Sequence, residues 1–529
     1  MTHFAPSKCP PHGRPPPMAL TSLEFLTLFS VITCAVLYFS PQFLHAKLPL
    51  PPGPNSQRWI PGNVDLPKIR PWLTYAAEWR KLYGDLIYIR VLGSPILVLN
   101  SATVASDLLE KRSSKYSSRP VRTMIVELMG WDWLASSFPY GPYWQKHRAM
   151  FQRYLPQNDS STRWHPLQTQ EAHALLCSLF LNPTEFRHHI RTLSASIVLK
   201  MTYGLKVGTG NEYVVLADQA IAGLAEAGIF GTYLVDYMPF LKYAPSWLAF
   251  RRKARAWRKL ARAMVNVPFA SVQQEMAQGV ASKCLVSQEL EGLSNSADPT
   301  TAESIIKNVA GTLYAAGADT TSSALAAFFL AITIHPEIQQ RGQAEIDRVI
   351  GHGQRLPLFT DRPQLAFIDY ICYELLRWNP VAPLGLSHYV TEEDEYRGFR
   401  IPKGTTVLPN IWAILHDPET YPDPLAFNPN RFAPENRTEG KNPLPDAAFG
   451  FGRRFCPGRF LAFDTIWIAV ASILAVYDIS KSRDENGAVK EPTVEFTPLM
   501  LSHPVPFVCT ITPRSAAAAQ LVQDIDMSL

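Results

Sequence analysis

The chain has 529 residues, 47% of them hydrophobic and 18% charged, which is enough to bury a large core. Its net charge of +5 is spread along the chain, and no zinc-finger or RNA-binding motif accompanies it, which excludes a nucleic-acid binder. Seven cysteines stand at scattered positions with no Cys-x-x-Cys pair, a pattern that excludes a disulfide framework and suits a reducing compartment. Length alone allows about three or four domains. No Gly/Ser linker or charge block divides the chain after residue 60, so one large folded body is expected over residues 63–514.

Residues 1–18 are proline-rich and lack acidic residues, and they are expected to be disordered. Residues 19–39 are mostly apolar, with Glu24 the only charge, and are long enough to cross a bilayer, which takes about 20 residues. A transmembrane anchor is expected there. The alternative is a cleaved signal peptide, but no small-x-small site follows. Instead residues 40–62 carry Pro49-Leu50-Pro51-Pro52-Gly53-Pro54, read as a stiff hinge. Lys and Arg are few on both sides, so the charge rule sets no orientation.

Leu86–Leu92 and Pro95–Leu99 are β-rich runs joined by Gly93-Ser94, a predicted hairpin. Helices and loops follow. Trp144 and Arg148 are an i,i+4 pair on one helical face, and both can donate to a carboxylate. A core Trp beside a surface Arg is the plainer reading. Residues 228–260 mix aromatic and apolar side chains, then turn basic at Arg251, Arg252, Lys253, Arg255, Arg258 and Lys259. Such a stretch can lie against an anionic membrane or be a solvated helix face. Thr300 and Glu303 form a predicted capping box that opens a long helix ending before Pro336. Its middle, Ala316-Gly317-Ala318-Asp319-Thr320-Thr321, is a poor helix former. That local conflict marks a functional site, with a small-residue packing seam as the alternative. Glu374 and Arg377 sit one turn apart on the amphipathic helix of residues 365–378 and can pair. Residues 381–406 alternate turns and short strands. Residues 515–529 are expected to be a frayed, flexible tail.

Phe449 to Gly458 reads Phe-Gly-Phe-Gly-Arg-Arg-Phe-Cys-Pro-Gly and precedes a long apolar helical run. Cys456 therefore lies in a loop that opens a helix. Unpartnered N–H groups and the helix dipole bias a thiol there towards thiolate, the metal-binding form. Gly450, Gly452 and Gly458 let the backbone pass close to a flat group, and Arg454 supplies a cation. One cysteine cannot build a zinc or iron–sulfur site, which needs about four ligands, but a haem needs only one axial ligand.

The pattern Phe-x-x-Gly-x-Arg-x-Cys-x-Gly at Phe449, Gly452, Arg454, Cys456 and Gly458 resembles the cytochrome P450 family of haem-thiolate monooxygenases. Trp144/Arg148, Ala316–Thr321, Glu374/Arg377 and Arg431 fall in the family's order, and the resemblance covers about residues 45–512. It implies a mainly α fold with small β-sheets, preceded by the transmembrane helix. It implies haem b, with Cys456 as metal ligand and Trp144, Arg148, His388, Phe449, Arg454 and Gly458 around it. Asp319 and Thr320 would be the catalytic acid–alcohol pair. Glu374, Arg377 and Arg431 would be a buried structural set fixing the cysteine loop. Ala382–Leu386 and Pro498–Leu501 would wall a pocket for a lipophilic small molecule, and residues 228–260 would roof it and touch the membrane.

The chain lacks Gly-x-Gly-x-x-Gly, so electrons are expected from NADPH through a separate reductase. Lys146, Arg453 and Lys441 are candidate contacts for that reductase. The flavour is similar to fungal microsomal members that oxidise secondary metabolites such as terpenoids. This implies an endoplasmic reticulum anchor, a cytosolic catalytic domain, and unglycosylated sequons at Asn158 and Asn436. The alternatives are a haem-thiolate isomerase or dehydratase that needs no reductase, and a non-enzymatic haem-binding protein.

Overall fold

A computed structural model describes residues 48–54, 66–67, 69–155, 159–205, 212–295 and 297–525. The expected disordered N-terminus, the membrane anchor, most of the hinge and Asn158 lie outside the described residues. The chain divides into a small unit, residues 1–50 with 395–400, and a main unit of residues 51–394 with 401–529. In the small unit Arg400 N donates to Pro49 O at 2.8 Å.

The main unit is helical with small sheets. The expected hairpin is present as β1 (Leu86–Val91) and β2 (Ser94–Leu99), paired from Leu86↔Leu99 to Val91↔Ser94. Pro52 O accepts from Tyr88 N at 2.9 Å, and a Cβ on Gly53 would meet Tyr88 O at 1.8 Å. Residues 51–54 of the expected hinge are thus joined to β1. Gly53 lets the two backbones approach to hydrogen-bonding distance.

The longer helices that follow begin with α1 (Pro142–Tyr154), α2 (His165–Leu181), α3 (Phe186–Tyr203), α4 (Glu212–Gly228) and α5 (Ala249–Ala277). Next come α6 (Pro299–Ile334), α7 (Pro336–Ile350) and α8 (Ala366–Trp378). Strands β3 (His388–Tyr389) and β4 (Thr406–Pro409) complete a sheet ordered β1-β2-β4-β3, with β4 parallel to β2. After α9 (Arg459–Val476), β5 (Tyr477–Lys481) pairs antiparallel with β6 (Cys509–Pro513).

Two expectations are corrected here. Helix α6 starts two residues early: the Asp298 side chain accepts from Thr301 N at 3.1 Å, and Pro299, which has no N–H to satisfy, takes the first position. Residues 515–529 are not all frayed tail. Ser515 Oγ accepts from Ala518 N at 3.1 Å and starts α10 (Ala516–Gln523), which buries Ala518 and Val522 in the core.

Helix α6 runs through two hydrophobic cores. Its first half, up to Ala318, packs with α1, α4, α5 and residues 124–138, while Ala324 to Ile332 packs with α2, α3, α8 and α9. The polar run Asp319–Ser323 falls between the two. Helices α6 and α9 are apolar and long enough to cross a membrane, but 83% and 78% of their apolar windows are buried in this fold, as expected of core helices.

Candidate functional site

The loop before α9 holds Cys456. Its N–H donates to Phe449 O at 2.9 Å, closing the turn. Gly450 has φ 84° and Gly452 φ 56°, and a Cβ on Gly452 would meet Leu109 O at 2.2 Å. These two positions demand glycine. Gly458 does not: its φ is −90°, and an added Cβ would meet only Leu155 at 3.9 Å. What Gly458 supplies is a backbone N–H directed at the Cys456 sulfur.

Burial pushes the Cys456 thiol up, against the Gly458 N–H and the charges of Arg148 and Arg459. A metal ion would have to displace the proton. Among the described residues no three His, Cys, Asp or Glu converge, so Cys456 stands as a single donor.

Cations gather near the sulfur. Arg148 Nη1, on α1, donates to Phe455 O at 2.8 Å. Arg454 donates to Ser117 O at 2.6 Å and Phe138 O at 2.7 Å, with its guanidinium carbon 4.2 Å over the Trp144 ring. Trp144 is therefore a buried platform for Arg454. Arg454 Nη1 is buried and finds no partner among the described residues. Burial, then Arg119 and Arg148, push this guanidinium down to about 8.

Arg119, which the sequence reading did not single out, donates to Ser136 O, Leu386 O and Ser387 O, and burial pushes it down to about 9. His388 Nδ1 lies 2.8 Å from Tyr116 O, and burial, then Arg119, hold its pKa well below the histidine range. The neutral ring donates from Nδ1, which leaves Nε2 an acceptor.

Among the described residues no carboxylate acts on Arg119, Arg148 or Arg454, so one buried and two half-buried cations share a region without an acid. Buried charge of one sign is costly unless it is paired. A group carrying two carboxylates and a thiolate-binding metal would meet both the cations and Cys456, and haem b has that donor and acceptor set. The residues present fit it.

On α6, Thr320 Oγ1 donates to Ala316 O at 2.8 Å, the back-bond anticipated for a mid-helix threonine. Gly317 serves packing: a Cβ there would meet Val198 Cγ1, on α3, at 2.3 Å. At this position the helix-packing alternative is the one observed. Asp319, the expected acid of the pair, is turned away from solvent. It is 7% exposed, and its carboxylate accepts from His503 Nε2 at 3.0 Å, with Arg191 at 3.8 Å.

Glu374 and Arg377 form a bidentate pair at 2.7 and 2.8 Å, both side chains 0% exposed, and Arg431 joins the carboxylate at 3.1 Å. The remaining guanidinium donors go to Leu415, Pro422, Asp423, Pro424 and Ala426 carbonyls. The set therefore fixes the segment around residues 415–431, rather than the cysteine loop directly.

A pocket is lined by Arg119, Ile125, Leu224, Leu384, Leu386 and Met500, among others. The expected walls are shifted: Leu384–Ser387 line it rather than Ala382–Leu386, and only Leu499 and Met500 of the later segment do. Pro383 O is instead occupied by Trp412 N at 3.0 Å.

The cytochrome P450 family model matches residues 51–509. A cytochrome P450 monooxygenase of Postia placenta is 41% identical over 520 residues, covering 96% of this chain and 99% of that protein. Another from Armillaria gallica is 42% identical over 487 residues, covering 91% and 95%. A tryptamine 4-monooxygenase of Psilocybe cyanescens is 36% identical over 502 residues, covering 92% and 97%.

Proposed function

The chain belongs to the cytochrome P450 family and is a monooxygenase, and on that premise we propose that it hydroxylates a lipophilic small molecule of fungal secondary metabolism. The family implies haem with a cysteine thiolate, a redox partner and a lipophilic substrate. Electrons would come from NADPH through a separate flavoprotein reductase. The protein would sit on the endoplasmic reticulum membrane, anchored through residues 19–39, with its catalytic domain in the cytosol. Exposed Leu234, Phe240, Tyr243 and Trp247, followed by the basic face of α5, support contact with that membrane.

The observation that carries the reading is the lone Cys456 beside Arg119, Arg148 and Arg454, cations with no acid of their own. Cys456 would hold the iron, Arg119, Arg148 and Arg454 the propionates, and Trp144 the Arg454 plane. Bound haem supplies the oxygen-activating chemistry. With two propionates beside it, His388 can take up a proton and donate. Phe449 closes the cysteine turn through its carbonyl, and Gly458 steadies the sulfur. The apolar lining of Ile125, Leu134, Leu224, Leu384 and Met500 excludes water and supports a lipophilic substrate. Thr320 has committed its hydroxyl hydrogen to Ala316 O, so Oγ1 is an acceptor that would hold a water. Asp319 would supply the proton beside it. Exposed Lys146, Arg453 and Lys441 are the proposed reductase contacts.

The test is spectral and then catalytic. Reduced wild-type protein under carbon monoxide should show the red-shifted Soret band of thiolate ligation, and Cys456→Ala should lose it. Turnover should require NADPH and reductase. A histidine-type band, or turnover without reductase, would sink the reading and favour an isomerase.

A further inference from the structure

Asp319, itself buried, belongs to a network drawn from four segments. Its carboxylate accepts from His503 Nε2 at 3.0 Å and lies 3.8 Å from Arg191 Nη2, on α3. Arg191 Nη1 in turn pairs with Asp218, on α4, at 2.5 Å. The set holds two carboxylates, one guanidinium and one imidazole. With His503 neutral it carries one net negative charge, and with His503 protonated it is balanced.

The His503 side chain is 14% exposed, so the ring spans from Asp319 to solvent. It is also held in place. His503 N donates to Thr497 Oγ1 at 3.0 Å, and Thr497 N donates to His503 O at 2.7 Å. The preceding Ser502 is tied to Asn379 Oδ1 at 2.8 Å, to Val381 O at 2.8 Å and to Ser323 Oγ of α6. Nothing in the family motifs required a histidine here, yet the segment is fastened so that one nitrogen meets the mid-helix acid.

We propose that His503 is a positioning and proton-supplying residue for Asp319, its neutral ring passing the Nε2 proton to Asp319 Oδ2 as a proton from solvent hydronium binds Nδ1. The Nε2–H bond breaks as the O–H bond forms, and the ring is left neutral with its proton on Nδ1. Asp319, then a neutral acid, gives the proton onward beside Thr320, and the ring returns to its Nε2–H tautomer by proton exchange with solvent. An imidazole suits this because its two nitrogens can load and unload on opposite sides. The inference rests on reading Asp319 and Thr320 as the acid–alcohol pair. It gives that pair an outside proton source where Asp319 itself has no open solvent face.

The titratable groups facing this network are few. Arg187 and His188 flank Arg191 on α3, and Arg187 Nη2 reaches Pro504 O at 3.4 Å. Tyr314 on α6 senses Asp218. Burial pushes the Asp319 carboxyl up, but the bond and charge of His503, then Arg191, hold it net below the carboxylate range. Asp218 is raised by burial despite Arg191.

The experiment compares wild type with His503→Gln, which keeps a donor but cannot titrate, and His503→Lys, which keeps the ion pair. Haem content and the carbon monoxide band should match wild type in both. Wild-type turnover should fall with rising pH as solvent protons become scarce, and both variants should lack that limb. Turnover in His503→Gln should drop about 10²-fold, the lower end of positioned proton transfer. A second readout is independent of turnover: the infrared band of a protonated carboxyl, assigned by its loss in Asp319→Asn, should appear at higher pH in His503→Gln. An unchanged pH limb or an unmoved carboxyl band overturns the proposal. Normal turnover in Asp319→Asn would instead remove the acid–alcohol reading beneath it. Impaired Asp319→Asn with normal His503→Gln would remove His503 alone.

Discussion

Arg148 donates from Nη1 to the carbonyl of Phe455 at 2.8 Å, so the residue directly before Cys456 is tied to a helix 307 positions earlier in the chain. The same guanidinium acts on the Cys456 sulfur. One side chain thus joins the position of the ligand loop to its charge. Arg148→Ala frees a partly buried carbonyl and removes a cation from the thiolate. Bonds to charged groups contribute about 1.5–3 kcal/mol, so haem retention should weaken by roughly 10–100-fold. Arg148→Lys should recover part of it. Haem per protein after dialysis, with the carbon monoxide spectrum, measures both. Full haem content in Arg148→Ala would show that this tie does not matter.

Arg119 makes a prediction of opposite sign in two states. Its charge is buried beside Arg148 and Arg454 with no acid acting on it. Arg119→Gln keeps a donor for the Leu386 and Ser387 carbonyls while removing a repelling cation. The haem-free protein should gain thermal stability, and the haem-loaded protein should lose haem faster. Melting curves of both forms decide it. If both forms shift the same way, the cation cluster is not there to receive an anion.

Much of the site was legible because its chemistry is local. Cys456 follows two glycines whose positive φ only that residue tolerates cheaply, and Glu374 and Arg377 are one helical turn apart. Arg119 was not legible, because its role depends on carbonyls from residues 136 and 386–387 that only the fold brings to it. Nor was His503, which meets Asp319 across 184 positions. Sequence spacing carries i,i+3 and i,i+4 pairs, but says nothing of which distant loop lands on a helix. At Cys456 the helix terminus favours thiolate, while burial, which only the packed structure sets, opposes it. The hairpin and α6 were read from pattern, whereas the start of α6 moved because Asp298-Pro299 outcompeted Thr300.

Asp394 gives a pH prediction. Burial raises its carboxyl, but bonds from Arg112 at 2.8 Å, Lys115 at 2.9 Å and Tyr116 at 3.1 Å hold it net below the ordinary carboxylate range. A depressed carboxyl stabilises the fold above its unfolded pKa, and that contribution is lost as pH falls through the folded value. Asp394→Asn should therefore lower the melting temperature at neutral pH. The gap from wild type should close in acid, below the carboxylate range. A gap independent of pH would mean that the charge contributes nothing.

Gly317 tests how α6 meets α3. A Cβ there would stand 2.3 Å from Val198 Cγ1, and a valine in a helix has little rotamer freedom to yield. Gly317→Ala should gain up to about 1 kcal/mol of helix propensity but lose about 1–3 kcal/mol to overpacking. Val198→Ala opens a small cavity. In the double variant the new methyl fills it, so the two changes should destabilise less together than their sum. Denaturant unfolding of the four proteins measures the coupling. Strict additivity would show that the helices are not in that contact.

Thr320 gives the sharpest division between structure and chemistry. Its hydroxyl hydrogen is held by Ala316 O at 2.8 Å, so its oxygen is free to accept from a water. Thr320→Ala frees one helix carbonyl and removes that acceptor. Haem content and substrate binding should stay near wild type, because neither Cys456 nor the cation cluster touches this side chain. In an assay with NADPH and reductase, product should fall by about 10²-fold or more, the range of positioned proton transfer. NADPH consumption should continue, with the electrons recovered as hydrogen peroxide. Thr320→Ser should restore coupling, because it returns the same oxygen to the same turn. Asp319→Asn should behave differently, slowing NADPH use and product together, since proton supply itself is then limiting. The ratio of product to NADPH, with peroxide assayed beside it, separates the two residues. An unchanged ratio in Thr320→Ala would leave the back-bond to Ala316 as a helix contact only.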